Sequence, residues 1–208
     1  EQPAVSPVAL SNGFPGATFV SRDELRSAVD SYLLDSSPTW NYGHPIGNWD
    51  VSLIEDFSEL FSAARNPLAA YFNEDLSGWD LSSATTTSSM FEGTVSFTDE
   101  TNSLARWNVD GVADMSRMFA DSAFSGDISN WRVDRVSYFS FMFEFANNFK
   151  GELTNWNVGS AVDMGWMVSV SVSQCSDSCI PNQFRGATSF SSDISDWDVR
   201  NVQIFTNM

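Results

Sequence analysis

The residues of this chain that could do chemistry are one histidine, two cysteines and a large surplus of carboxylates. His44 stands in the turn Tyr42-Gly43-His44-Pro45. A general base needs partners within hydrogen-bond reach, and no such constellation surrounds it in sequence. No nucleophile elbow, zinc-protease helix, phosphate loop or dinucleotide fingerprint is present. Paired carboxylates act as acid and base only when their environments differ, and a regular ladder of exposed acids gives no sign of that. Cys175-Ser-Asp-Ser-Cys179 is a close pair in a polar stretch. An even count of two suggests a disulfide and an oxidising compartment; free thiols or half of a metal site are the alternatives. Four cysteine or histidine ligands for structural zinc cannot be assembled from one chain of this composition. The chain is therefore expected to be no enzyme and to carry no cofactor.

The formal net charge is −17, with Lys150 the single lysine beside nine arginines. Nucleic acid and anionic membranes are poor partners for such a surface. No run of 18 apolar residues exists, so no membrane insertion is expected from this segment.

What positions these residues is a repeat. Trp49, Trp79, Trp107, Trp131, Trp156 and Trp197 recur at spacings of 30, 28, 24, 25 and 41. Three residues before each stands Ile46, Leu76, Leu104, Ile128, Leu153 or Ile194. Two after stands Val51, Leu81, Val109, Val133, Val158 or Val199. Further apolar positions follow at +5, +8, +11 and +12, as in Val136, Phe139, Met142 and Phe143. Most Trp, Phe and Met are thus expected in the core.

The spacing I/L-x-x-W-x-V matches the leucine-rich-repeat core, with tryptophan in the middle leucine slot. Its alternation predicts a short strand, and the steps of three that follow predict a short helical turn. The expected fold is an α/β solenoid: a leucine-rich-repeat-like right-handed coil of ~25-residue repeats, one short parallel strand plus a helical turn in each. Residues 1–20 read as a flexible leader. Residues 21–45 read as an N-terminal capping helix and turn, with Ser21-x-x-Glu24 as its capping box. Residues 46–208 read as the array, about five full repeats and a truncated sixth. The array stops at Met208 with no cap after it, so the chain is expected to be a piece of a longer protein or to be covered by another chain.

The copies W-N-V-D-G-V-A-D-M-S-R-M-F and F-S-S-D-I-S-D-W-D-V closely resemble the BspA-like leucine-rich-repeat surface proteins. So does the entry segment R-D-E-L-R-S-A-V-D, and the resemblance spans about residues 20–208. It implies a secreted or cell-surface module for adhesion or binding. Repeat two departs most, with T-T-T-S-S-M in place of the usual run.

In the expected strands, residues flanking tryptophan point outward. At +1 these are Asp50, Asp80, Asn108, Arg132, Asn157 and Asp198; at −1 they include Arg106, and at +3 Ser82, Asp110 and Asp134. All are polar and none is aromatic, so sugar stacking is not expected there. The expected partner is a protein or glycan bound on this strand face, centred on Arg106, Asn108, Arg132 and Asn157. Arginine presents five donors in a planar fork and is enriched at interface hot spots. The bland alternative is that Arg106 and Arg132 only offset Asp110 and Asp134. Asp50, Asp80 and Asp198 extend the ladder; Asp50 and Asp80 offer oxygens to Ca²⁺, a weak second partner with no calcium-loop spacing to support it. A structural or matrix protein binding polysaccharide, mineral or ice through a regular polar array is the alternative function.

Repeat five carries an insertion, residues 168–183, that opens V-S-V-S-V-S. Phe141 and Trp166 share one repeat position in adjacent copies and are expected side by side, with the insertion folded over them and pinned by Cys175–Cys179.

Overall fold

The computed structural model describes residues 17–35, 42–43, 45–167 and 192–205. His44, Cys175, Cys179, the insertion 168–183 and Met208 lie outside the described residues.

The six-fold I/L-x-x-W spacing comes from a turn. In every copy the tryptophan N–H donates to the carbonyl three residues back: Trp49 to Ile46, Trp79 to Leu76, Trp107 to Leu104, Trp131 to Ile128, Trp156 to Leu153 and Trp197 to Ile194, at 3.0–3.2 Å. A second turn starts two residues later. Ile54, Ala84, Val112, Val136, Ala161 and Val202 donate to the carbonyls of Val51, Leu81, Val109, Val133, Val158 and Val199. Each W-x-V is thus a corner pinched between two i→i+3 turns. Too few extended residues remain between the turns to pair, and among the described residues the corner valine N–H groups join no ladder.

Lateral pairing sits elsewhere. One parallel bridge per copy links Asp56, Thr86, Asp114, Tyr138, Asp163 and Ile204, seven residues after each tryptophan. From there alternate N–H groups reach the next copy: Phe57 to Thr86, Glu59 to Ser88, Phe61 to Met90 and Ala63 to Glu92, at 2.7–3.0 Å. The same register recurs between copies three and four, from Met115, Arg117, Phe119 and Asp121. The intervening N–H groups close i→i+3 turns inside their own copy, as Met118 to Met115 and Ala120 to Arg117.

The expected α/β solenoid is therefore corrected. Among the described residues there is one α-helix and no sheet, only isolated bridges; no copy has a strand, and none has a helix over the positions +5 to +12, the 3₁₀ helices lying at Ile46–Asn48, Pro67–Tyr71 and Ser103–Arg106. The physical reason is the position ten after the tryptophan. Glu59, Ser89, Arg117, Phe141 and Trp166 all take positive φ, 55–60°. A left-handed non-glycine residue costs ~1–2 kcal/mol and cannot continue a right-handed helix. The steps of three came from stacked turns, which also place i and i+3 on one side.

The α-helix is α1, Arg22–Leu34, begun by Ser21, whose hydroxyl accepts from Glu24 N–H at 3.3 Å. Leu25, Ala28, Val29 and Tyr32 are its buried face, and Tyr32 meets Trp49 edge-on at 5.7 Å. Arg22 bonds Ser58 and pairs with Asp56, and Asp30 holds Arg65 and Asn66, so α1 is fastened to copy one. Ahead of it, Thr18 bridges Asp50 and Phe19 is fully buried.

Two aromatic columns run through the core. Trp107, Trp131 and Trp156 stack at 6.5 Å with planes 6° apart. Phe61, Phe91, Phe119 and Phe143 stack at 5.4–5.8 Å. A further row, Phe72, Phe97, Phe124 and Phe149, packs on the phenylalanine column at 3.9–4.4 Å. Tryptophan serves where leucine would not because its indole N–H ties one copy to the one before. Nε1 of Trp79, Trp107, Trp131, Trp156 and Trp197 donates to the carbonyls of Ile46, Leu76, Leu104, Ile128 and Leu153, at 2.9–3.1 Å. A buried indole donor needs such a partner. The core membership expected for the six repeat tryptophans holds: Trp131 is 3 % exposed and Trp197, the least buried of them, 8 %.

Candidate functional site

The polar ladder beside the tryptophans has a structural duty first. Asp50, Asp80, Asn108, Asn157 and Asp198 each accept, through the side-chain oxygen, the N–H two residues on: Ser52, Ser82, Asp110, Gly159 and Arg200, at 2.9–3.3 Å. These are Asx turns, which short oxygen-bearing side chains make readily. Similar turns recur at Asp75, Asp127 and Asp193, and at Asp56, Asp114 and Asp163. Much of the carboxylate surplus thus shapes corners. The Ser52 hydroxyl and N–H hold the Asp50 carboxyl below its ordinary range. Asp198 is drawn down to about 2 by the Arg200 guanidinium, with the Arg200 N–H second. Asp50 also takes the Thr18 hydroxyl. Among the described residues no three acidic, histidine or cysteine side chains converge as a metal group would require.

Arg132 breaks the ladder. It is the one +1 residue of the six with no side-chain acceptor, so copy four lacks this turn bond. Its side chain extends instead, 72 % exposed, with Asp110 at 3.4 Å and Asp134 at 3.8 Å. Exposed pairs of this length are worth ~0–1 kcal/mol. Beside it opens a shallow cleft of about 270 Å³ lined by Ser82, Asp110, Gly111, Arg132, Asp134 and Arg135. Three consecutive copies contribute to it. Asp110 is fixed through the Asn108 turn. Asp134 is fixed by Asn157 Nδ2, 2.7 Å from its carboxylate, and by the Ser160 hydroxyl, 2.6 Å from its carbonyl oxygen.

The structure therefore brings Arg132 and Asn157 together around Asp134, with Asn108 behind Asp110. Arg106 ends a 3₁₀ turn, Ser103–Arg106, and does not line the cleft. Asp50 and Asp80 sit in the same column in earlier copies, and Asp198 is closed on its own Arg200 at 2.6 Å. Ser82 stands in the +3 column expected to face outward, whereas Gly111 and Arg135 were not singled out from sequence. The signal available was the arginine at a position otherwise held by Asp or Asn.

On another face, Phe141 and Trp166 lie side by side as expected, 5.8 Å apart and 16° from parallel. The Arg117 guanidinium stands over Phe141 at 5.2 Å and pairs with Glu92 and Glu144 in the flanking copies, at 2.8 and 3.1 Å. Burial pushes the Glu144 carboxyl above its ordinary range.

Asp99 is the most buried carboxylate described, 3 % exposed, and burial raises its pKa. It accepts from Ser103 N–H and hydroxyl and from Leu104 N–H, which fixes the 3₁₀ turn rather than a site.

No helix among the described residues is long and apolar enough to cross a membrane. No curated protein and no solved structure matches the chain. A sequence model of the family described as "Mycoplasma protein of unknown function, DUF285" matches residues 31–105, 100–180 and 176–208. With successive matches running from residue 31 to residue 208, the chain belongs to this DUF285 family and is built of its repeats.

Proposed function

We propose that this chain is a non-catalytic repeat module, displayed outside the cell or on its surface, that binds a protein or glycan ligand at the corner around Arg132. The observation that carries the reading is the exchange at one corner. Five copies use the +1 side chain to close a turn, and copy four gives up that bond for an exposed arginine beside a cleft. A purely structural ladder would keep Asp or Asn there. The likeness of its motifs to the BspA-like surface proteins supports the location and the binding role.

The test separates fold from binding. Immobilised protein is screened against purified extracellular proteins and a glycan array, and each hit is re-measured with Arg132→Asn. Asparagine restores the turn acceptor, so folding is expected to be unchanged or stabilised by about 0.5–1 kcal/mol. Capture is expected to fall at least ~10-fold, the loss of a charge-assisted contact. The double variant Arg106→Ala with Arg132→Ala is expected to do no worse than Arg132→Asn, since Arg106 lies outside the cleft. Capture unaltered by Arg132→Asn would move the site off this corner.

A further inference from the structure

The make-up of the cleft narrows the ligand, on the reading that this corner is the binding site. Its lining carries two arginines, Arg132 and Arg135, and two carboxylates, Asp110 and Asp134. In a chain of net charge −17 this corner is locally balanced. The acceptors stand on fixed backbone: Asn157 holds the Asp134 carboxylate, Ser160 bonds the Asp134 backbone carbonyl, and the Asn108 turn fixes the Asp110 backbone N–H. The donors are loose by comparison. Arg132 keeps only two long, exposed pairs, and Arg135 makes no ion pair among the described residues.

A ligand that satisfies both sets must bring an anionic group for the arginines and hydroxyl donors for the aspartates. An acidic polypeptide brings the anion and backbone N–H donors, but its neighbouring carboxylates would be repelled by Asp110 and Asp134. A neutral sugar brings the hydroxyls and gives the arginine pair only uncharged acceptors, which bind more weakly than a carboxylate. An acidic sugar brings both on one ring, and about 270 Å³ admits one such unit. We propose that the Arg132 cleft binds an acidic sugar unit of a glycan, its carboxylate on Arg132 and Arg135 and its hydroxyls on Asp110 and Asp134. No aromatic side chain lines the cleft, so recognition is by charge-assisted hydrogen bonds and not by ring stacking. Arginine is suited to this because its fork takes both oxygens of a carboxylate.

The experiment is calorimetric titration of the full chain with a uronate oligosaccharide, its methyl ester, the neutral counterpart, and polyglutamate as a competitor. The uronate is expected to bind. The ester and the neutral sugar are expected to bind ~10-fold more weakly or worse, as charge-assisted bonds are lost. Polyglutamate is expected not to compete. Arg132→Asn and Arg135→Gln are each expected to weaken the uronate by about tenfold, and Asp134→Asn by less, because the amide keeps one acceptor. Circular dichroism and the urea midpoint establish that each variant is folded. The proposal is overturned by absence of uronate binding, by equal binding of the ester, by competition from polyglutamate, or by indifference to both arginine variants. Should the uronate fail while a protein is captured through Arg132, this inference falls and the corner remains a binding site. If nothing captured depends on Arg132, both fall.

Discussion

Trp131→Ala is expected to destabilise the protein by ~3–5 kcal/mol, read as a lowered urea midpoint and melting temperature. Trp131 is 3 % exposed and lies flat between Trp107 and Trp156, 6.5 Å from each. The alanine leaves a cavity inside a stack that neighbours on both sides hold open, so collapse cannot fill it cheaply. It also removes the indole N–H that donates to the Leu104 carbonyl at 2.9 Å. That carbonyl still accepts the Trp107 N–H, so it is not orphaned. The hydrogen bond therefore contributes the smaller share, about 0.5–1.5 kcal/mol, and the lost ring the larger. Trp131→Phe keeps a ring in the column and is expected to cost roughly 1–3 kcal/mol. A change below ~1 kcal/mol for the alanine would mean that the tryptophan column does not hold the copies together.

Phe119→Ala is expected to cost a similar ~3–5 kcal/mol. Phe119 is fully buried and meets four rings: Phe124 at 3.9 Å, Phe91 at 5.7 Å, Phe143 at 5.8 Å and Trp131 at 6.3 Å. Stacked pairs of this kind contribute ~0.5–1.5 kcal/mol beyond the area they bury. Its backbone N–H bonds the Met142 carbonyl in the next copy at 2.9 Å, and the substitution leaves that bond in place. The loss is thus a measure of side-chain packing alone. Phe119 and Trp131 touch, so the double variant is expected to fall short of the sum of the two singles by at least ~0.5 kcal/mol. Additivity within error would place the two columns in separate cores.

Much of this arrangement was legible in the residues. Ser21 and Glu24 marked the start of α1, and the apolar spacing marked Leu25, Ala28, Val29, Tyr32 and Leu33 as its inner face, of which Leu33 is only half-buried. The tryptophan register placed Phe141 beside Trp166 across two copies. What failed was the translation of spacing into backbone. A W-x-V alternation looks the same in a strand and in a corner between two turns, since both turn alternate side chains inward. Apolar residues at +8 and +11 look the same in a helical turn and in an i→i+3 turn. The left-handed residues that decide between them are Glu59, Ser89, Arg117, Phe141 and Trp166. Not one is glycine, the usual mark of positive φ, so nothing in the sequence announced them. At the site, Arg132 and Asn157 could be found because they stand in the ladder. Ser82 stands in the +3 column of that ladder; Gly111 and Arg135, at +4, join them only through the register of three copies, which is set by lateral hydrogen bonds such as Ala113 to Thr85 and Ser137 to Ala113.

The central structural claim is that copies are joined through the turn ladder and the indole donors, not through strands at W-x-V. Hydrogen exchange of the native protein, resolved by residue in NMR spectra, tests it most directly. The indole N–H groups of Trp107, Trp131 and Trp156 and the amides of Met115, Arg117, Phe119 and Asp121 are expected to exchange slowly, because all donate across copies. The amides of Val109, Val133 and Val158, which join no ladder, are expected to exchange much faster despite their buried side chains. Slow exchange at those three valines, with fast exchange at Arg117, Phe119 and the indoles, would restore a strand at each tryptophan and contradict the turn-built stack.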